Sequence, residues 1–346
     1  MLKFIKIEED SRVPKYKQIV DSVIHNIAIG NFSINDKIPS INAVSEAFYL
    51  SRDTVERAYG ILKERKIINP IIGKGYYIST NKISVKVNIL FIINKLSTYK
   101  MSMFQSFIEH IGPNCHTDFQ VYHCDETLFL NLLEKYESVY DYYVITPHFK
   151  TEELKHISYT EKVMDALNKI PSNKLIIMDN MSLPVASEVS QIYQDFENDI
   201  YDALLEGIVK IKKYKRLILV YPEKSLYPYP RRILFGFKKF CVEHDSHFEI
   251  IDEVYEDIIL KEGDLFITIV EADLVKLVKQ IRDEEFVLGD KIGVISYNDT
   301  PLKELLGITV MSTDFKFLGR ETASMIENNQ KGIIKVPFHF IDRNSI

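Results

Sequence analysis

The chain has 346 residues, 46% of them hydrophobic, with 43 Lys and Arg against 49 Asp and Glu. That length predicts two domains at ~150 residues each. No apolar run approaches the ~20 residues of a membrane span, and the opening MLKFIKIEEDSR carries acids and lacks the continuous apolar stretch of a secretory signal. A net charge of −6 argues against nucleic-acid binding, but residues 1–80 hold twelve Lys and Arg against nine Asp and Glu, a net of +3 that leaves −9 on the remainder. That asymmetry fits a small DNA-reading head on an acidic body.

Tyr16, Ile19, Val20, Val23, Ile24 and Ile27 recur at helical spacing and predict an amphipathic helix over 13–29, ended by Gly30. Asn35 and Asp36 sit where a tight turn is needed, and Asn tolerates the left-handed conformation. Pro39-Ser40 opens a second helix whose Val44, Ala47 and Phe48 face a core. Ser51 is a good N-cap for a third. Val55, Ala58, Tyr59 and Leu62 turn that helix inward, so its other side presents Arg52, Glu56 and Lys63, with Thr54 and Arg57 flanking. Residues 67–72 and 76–79 become two strands of a wing around Gly73-Lys74-Gly75, with Tyr76 opening the second. This is the pattern of a winged helix-turn-helix. Ser40, Ser51 and Thr54 lie at helix N-termini, where hydroxyls and backbone N–H groups bind phosphates. Arg52 suits guanine O6 and N7, and Lys74 can approach the minor groove or the backbone.

The segments PKYKQIVDSV, GNFSINDKIPSINAVSEAFYLSRDTVERAYGILKERKII and GKGYYI resemble the GntR family of bacterial transcription regulators over about the first 80 residues. The resemblance implies that Ser40, Arg52, Thr54 and the Gly73–Gly75 wing touch DNA. Asn42 and Glu56 stand where many members carry charged or basic residues, and Lys66 replaces a frequent glycine. Glu56 can accept from a cytosine amino group or pair with Arg52 four residues earlier; the pair is the favoured reading.

Residues 81–84 read as a linker between a head at 1–80 and a body at 85–346. In the body, strands are predicted at 87–93, 119–123, 142–146, 174–178, 216–221, 249–251, 265–269, 291–296 and 308–311. Helices are predicted near 101–111, 126–136, 151–169, 196–213, 230–243, 272–282 and 315–328. Alternating strands and helices imply parallel sheets covered on both faces, here as two α/β lobes. Such lobes enclose a ligand at the carboxyl ends of their strands. No G-x-x-x-x-G-K-[ST], G-x-S-x-G or H-E-x-x-H motif occurs, so no catalytic or nucleotide site is evident. The odd number of cysteines (Cys115, Cys124, Cys241) reads as free thiols in a reducing cytoplasm. Cys241, His244 and His247 run off a helix end, where their spacing no longer aligns side chains, so neither metal nor cofactor is assigned.

GDKIGVISYNDTPLKELLGITVMSTDFKFLGRETASMI, followed by IDRNS, resembles the effector domain of LacI-type repressors, related to periplasmic sugar-binding proteins. Weaker echoes at MDN (178–180), around Asp195 and at Gly236-Phe237 extend it upstream. The fold expected is therefore α/β: an N-terminal winged helix-turn-helix plus a two-lobed periplasmic-binding-protein-like body with parallel sheets. A GntR head on a LacI-type body is a known arrangement, exemplified by arabinose-operon repressors. It implies a homodimeric repressor that reads a palindromic double-stranded DNA operator and is released by a monosaccharide, with L-arabinose and L-fucose as candidates by analogy.

The resemblance carries Asn298 and Asp195 into the sugar site. It also expects an arginine three residues before Gly236; Ile233 stands there, with Arg231 and Arg232 just ahead. Either a bulge brings Arg232 inward or the contact is absent. Lys95, Ser97, Thr98 and Tyr99 follow the first strand, and His148 ends the third in the same way. Glu271 and Asp273 replace an asparagine-aspartate pair common in the family. Without tryptophan, stacking on a sugar falls to Tyr99, Tyr227 or Tyr229, although 227–230 reads equally as a rigid surface loop. Two other readings remain: a constitutive DNA-binding protein with a degenerate sensor, and a pyridoxal-phosphate body, whose lysine motif is not recognisable.

Overall fold

The computed structural model describes residues 1–8, 11, 13–28, 30–79, 87–179 and 183–346. The linker expected at 81–84 and the last residue of MDN lie outside them. The chain divides into two compact units, Met1–Lys86 and Val87–Ile346.

In the first unit, α1 (Lys15–Ala28), α2 (Ile41–Ala47) and α3 (Arg52–Glu64) precede an antiparallel hairpin of β1 (Ile68–Ile71) and β2 (Gly75–Ile78). Its core joins Ile19, Val23 and Ile27 of α1 to Val44 of α2, Val55, Ala58, Tyr59 and Leu62 of α3, and Ile68 and Ile78 of the wing. Ala47 is exposed instead of core-facing, which leaves Val44 and the half-buried Phe48 to hold α2. Asn35 has φ 68°, the left-handed turn its sequence favours.

The second unit has two lobes. The first contains β3 (Val87–Ile93), α4 (Thr98–His110), β4 (Cys115–Val121), α5 (Glu126–Lys135), β5 (Tyr142–Ile145), a small hairpin of β6 (Phe149–Lys150) and β7 (His156–Ile157), α6 (Glu161–Asn168), β8 (Leu175–Met178) and β9 (Ser190–Tyr193). The second contains α7 (Phe196–Glu206), α8 (Ile208–Ile211), β10 (Arg216–Val220), α9 (Arg232–Glu243), β11 (Phe248–Ile251), β12 (Asp264–Thr268), α10 (Glu271–Asp283), β13 (Gly293–Tyr297), α11 (Pro301–Leu305) and β14 (Thr309–Thr313). The chain then returns through α12 (Phe315–Glu327) and β15 (Ile333–Lys335) to the first lobe, and crosses again to β16 (Phe338–Ile341).

The first sheet runs β15-β9-β8-β5-β3-β4, all parallel; the second runs β11-β10-β12-β13-β14-β16, with only β16 antiparallel. Helices cover both faces of each sheet, which is why strands such as VNILFII and DLFIT are apolar with little alternation. Gly319 lets α12 seat against α4: a Cβ there would lie 2.1 Å from the Met103 carbonyl oxygen. No helix among the described residues is long and apolar enough to cross a membrane.

The helix expected over 151–169 is confined to Glu161–Asn168. Leu154 takes φ 61° in the β6–β7 turn, and the Thr160 side chain caps α6 by accepting from Val163 N. The helix expected over 196–213 breaks at Gly207 into α7 and α8. Strand β4 starts four residues before the predicted 119 and ends at Val121, because His123 and Cys124 turn left-handed at φ 53° and 54°.

Candidate effector cleft and DNA-reading head

In the head, the Ser40 hydroxyl caps α2 by accepting from Ala43 N at 3.2 Å. The Ser51 hydroxyl caps α3 by accepting from Thr54 N at 3.3 Å and lies 2.7 Å from the Thr54 hydroxyl. Both caps thus hold hydroxyls at exposed helix starts. Arg52 is exposed and its Nε donates to Glu56 Oε1 at 2.7 Å, the favoured intrahelical pair. Asn42 is exposed on α2. The Arg57 guanidinium lies 3.9 Å from the Tyr16 ring centroid, so it also packs α3 onto α1. Tyr59 donates to Pro39 O at 2.6 Å and meets Tyr76 edge-on, which ties the α2 entry and the wing to α3. Gly73 and Gly75 have φ 73° and 106°, a turn closed to L side chains, and hold exposed Lys74 at the wing tip.

In the body, a cavity of about 40 Å³ lies between the lobes where strand carboxyl ends converge. It receives Asn94 and Lys95 after β3, His148 after β5, Asp179 after β8, Gln194 after β9, Tyr297 and Asn298 at the end of β13, and Phe315 after β14. Tyr229 and its flanking prolines close it from the loop after β10. Lobe-to-lobe bonds seal the rim: Tyr227 hydroxyl to His123 Nδ1 at 3.0 Å, and Ser225 N donating to Leu154 O at 3.1 Å. That volume takes a few waters.

A buried charge network lines the floor. Lys100, in the first turn of α4, donates to Asp179 Oδ2 at 2.5 Å, and His148 Nε2 is 3.2 Å from the same oxygen. Gln194 Nε2 donates to Asp179 Oδ1, and Thr313 donates to Gln194 Oε1. His148 Nδ1 is 2.8 Å from His156 Nε2. With His148 donating to Asp179, its Nδ1 accepts from His156, which assigns both tautomers. Burial pulls Lys100 below its ordinary pKa, with Asp179 opposing. Burial alone would raise Asp179, but Lys100 and His148 outweigh it and hold the carboxyl well below the usual range. Burial also lowers His148 and, further, His156, so both rings are neutral at pH 7.

Among the described residues, three polar atoms at this cavity are buried without a hydrogen-bond partner: Asn94 Oδ1, Tyr297 Oη and Asn298 Oδ1. Each costs about 1–3 kcal/mol if left unmatched. Asn298 sits at φ 62°, pinned by Lys303, whose Nζ donates to the carbonyls of Tyr297 and Asn298 at 2.9 and 2.8 Å. Burial lowers Lys303 to about 8. Arg343 clamps the neighbouring Asp299 bidentately at 2.7 and 2.6 Å, which joins the YNDT and IDRNS segments.

Of the sequence candidates, Lys95, Tyr99, His148 and Asn298 line the cavity, as does Tyr229. The others lie outside its lining. Ser97 caps α4 through Lys100 N at 3.3 Å, and Thr98 is exposed. Asp195 and Glu197 pair with Arg232 at 3.6 and 3.5 Å, Arg231 is exposed beside Phe235, and Glu271 accepts from Thr300. Ile233 itself forms the wall, so no bulge turns Arg232 inward. Lys100, Gln194 and His156 were not singled out by sequence, and Asp179 entered only within the MDN echo. Asp179 had a signal, directly following an apolar strand. Lys100 also had one, three residues after the Ser97 cap of a helix that periodicity starts only at 101.

A winged helix on one unit and a two-lobed cleft on the other are the architecture of a DNA-binding transcription regulator. Residues 15–78 match "Bacterial regulatory proteins, gntR family". Over those residues the head is similar to that family, and the body has the fold of LacI-type effector domains. The mannosyl-D-glycerate transport/metabolism system repressor of Escherichia coli is 22% identical over 215 residues, 62% of this chain and 74% of that one. The arabinose metabolism transcriptional repressor of Geobacillus stearothermophilus is 31% identical over 74 residues, 21% of this chain and 20% of that one. A LacI family transcriptional regulator from Silicibacter pomeroyi superposes with a TM-score of 0.59 at 13% identity, covering 75% of this chain and 98% of its own.

Proposed function

We propose that this protein is a homodimeric, cytoplasmic repressor of a carbohydrate-utilisation operon, and that a small carbohydrate bound between the lobes releases it from a palindromic operator. The observation that carries the carbohydrate reading is the trio of unmatched polar atoms, Asn94 Oδ1, Tyr297 Oη and Asn298 Oδ1, in a cavity also lined by the aromatic rings of Tyr99, Tyr229 and Phe315. Hydroxyl pairs match the former and sugar C–H surfaces the latter. Relatives named for mannosyl-D-glycerate and arabinose systems support the same class of effector; L-arabinose and L-fucose are candidates to test within it. In the head, Ser40, Asn42, Ser51, Arg52, Thr54, Arg57 and the Gly73–Tyr76 wing are proposed to hold phosphates and bases.

Ile233 at the cavity wall favours a second reading, a constitutive regulator with a degenerate sensor. The orphaned atoms weigh against it, since a sensor that binds nothing gains no stability from leaving them unmatched.

Selecting duplexes from a random pool with the full-length protein tests the DNA reading. A palindromic consensus is expected, with Arg52→Ala weakening binding by roughly tenfold or more. Selection of no consensus would refute it.

A further inference from the structure

We infer that the effector is an anionic carbohydrate, a sugar acid or a sugar phosphate, whose negative charge is held by Lys95. This rests on the reading of the cleft as a carbohydrate site. Lys95 is 8% exposed and follows Asn94 at the carboxyl end of β3, with its side chain in the cavity wall. Its ammonium lies 4.2 Å from the Tyr229 ring centroid and 5.8 Å from that of Tyr99. Among the described residues, no carboxylate lies within ion-pair distance of it. The other charged groups lining the cavity are Lys100 and Asp179, which answer each other at 2.5 Å. His148 is neutral, so the cavity carries one positive charge without a counter-ion.

Tyr99 and Tyr229, which also hydrogen-bond the ammonium, outweigh the cost of its burial and hold it charged, but they bring no carboxylate to answer it. A lysine kept in this cavity beside unmatched hydrogen-bonding atoms is complementary to a ligand that brings both hydroxyls and an anion. The charge could come from a carboxylate or a phosphate.

Titration calorimetry on the full-length protein at constant ionic strength separates these. The probes are matched sets: D-glucose, D-glucuronate and D-glucose 6-phosphate, then the corresponding galactose and mannose sets, and L-arabinose with L-arabinonate. Inorganic phosphate alone controls for a bare ion. The expected result is one anionic sugar binding roughly tenfold or more tighter than its neutral parent. In Lys95→Met that preference should collapse to about one, while Lys95→Arg retains it. Lys95→Gln serves where the methionine variant fails to fold. A neutral sugar binding as tightly as its acid and phosphate would overturn the inference and leave the carbohydrate reading standing. So would a preference that survives in Lys95→Met. Heats no greater than those of inorganic phosphate across every set would overturn both.

Discussion

Asp179 is the residue on which the cleft turns. It answers Lys100, orients His148 and, through Gln194, reaches Thr313 at the edge of the second lobe. Replacing it with Asn leaves Lys100 buried without its counter-charge. Urea unfolding of the body at pH 7 should show Asp179→Asn destabilised by about 3 kcal/mol or more; a loss under ~1 kcal/mol would mean the pair is structurally idle. Asp199, in the first turn of α7, is 2% exposed; it accepts from Asp195 N at 2.8 Å and pairs with Lys335 at 2.9 Å. Burial raises its pKa from 3.8 to about 6 against the pull of Lys335. Below 3.8 both folded and unfolded states are protonated and stability is full. Between 3.8 and about 6 the unfolded chain releases its proton first, so stability falls as pH rises, by about 3 kcal/mol in all. Asp199→Asn should flatten that slope between pH 4 and 6, and an unchanged slope would contradict the assignment. The sequence marked Asp179 only by its place after an apolar strand and did not mark Asp199, because their ion-pair partners, Lys100 and Lys335, come from distant segments.

Single elements were far more legible. Caps, periodicity and glycine placement are local signals, so the head's three helices and wing emerge within a few residues of their observed bounds. Apolar runs likewise locate β3, β5, β8, β10 and β12. Strands β9, β15 and β16 escaped because SQIY, IIK and FHFI are short or mixed; only pairing with distant strands makes them part of a sheet. The end of α3 shows how a local departure acquires meaning. Lys66 takes φ 57°, Ile67 N donates to Leu62 O and Lys66 N to Lys63 O, both at 2.9 Å. This is a Schellman cap with lysine at the position glycine favours. Lys66→Gly should therefore stabilise the head by about 0.5–1 kcal/mol, read as a higher thermal midpoint for its transition. A lower midpoint would show that Lys66 makes a contact worth more than its backbone strain.

At the scale of the whole molecule, the two lobes of the body are joined three times, at residues 194–195, 314 and 336–337. Asp314 N donates to Pro337 O and Val336 N to Tyr193 O, both at 2.9 Å, so the crossings are tied to one another. Gln194 belongs at once to a crossing and to the cavity, through its bonds to Asp179 and Thr313. A sequence can announce two lobes by alternating strands and helices, yet it cannot display this junction, which is assembled from residues more than a hundred positions apart. Coupling between cleft and head on the order of 1–3 kcal/mol corresponds to about a five- to 150-fold change in operator affinity. The direct test is fluorescence anisotropy of the selected operator duplex titrated with full-length protein, with and without a saturating sugar that binds the cleft. The account predicts at least a fivefold loss of operator affinity when the sugar is present. An operator affinity unchanged by a sugar that demonstrably occupies the cleft would contradict it.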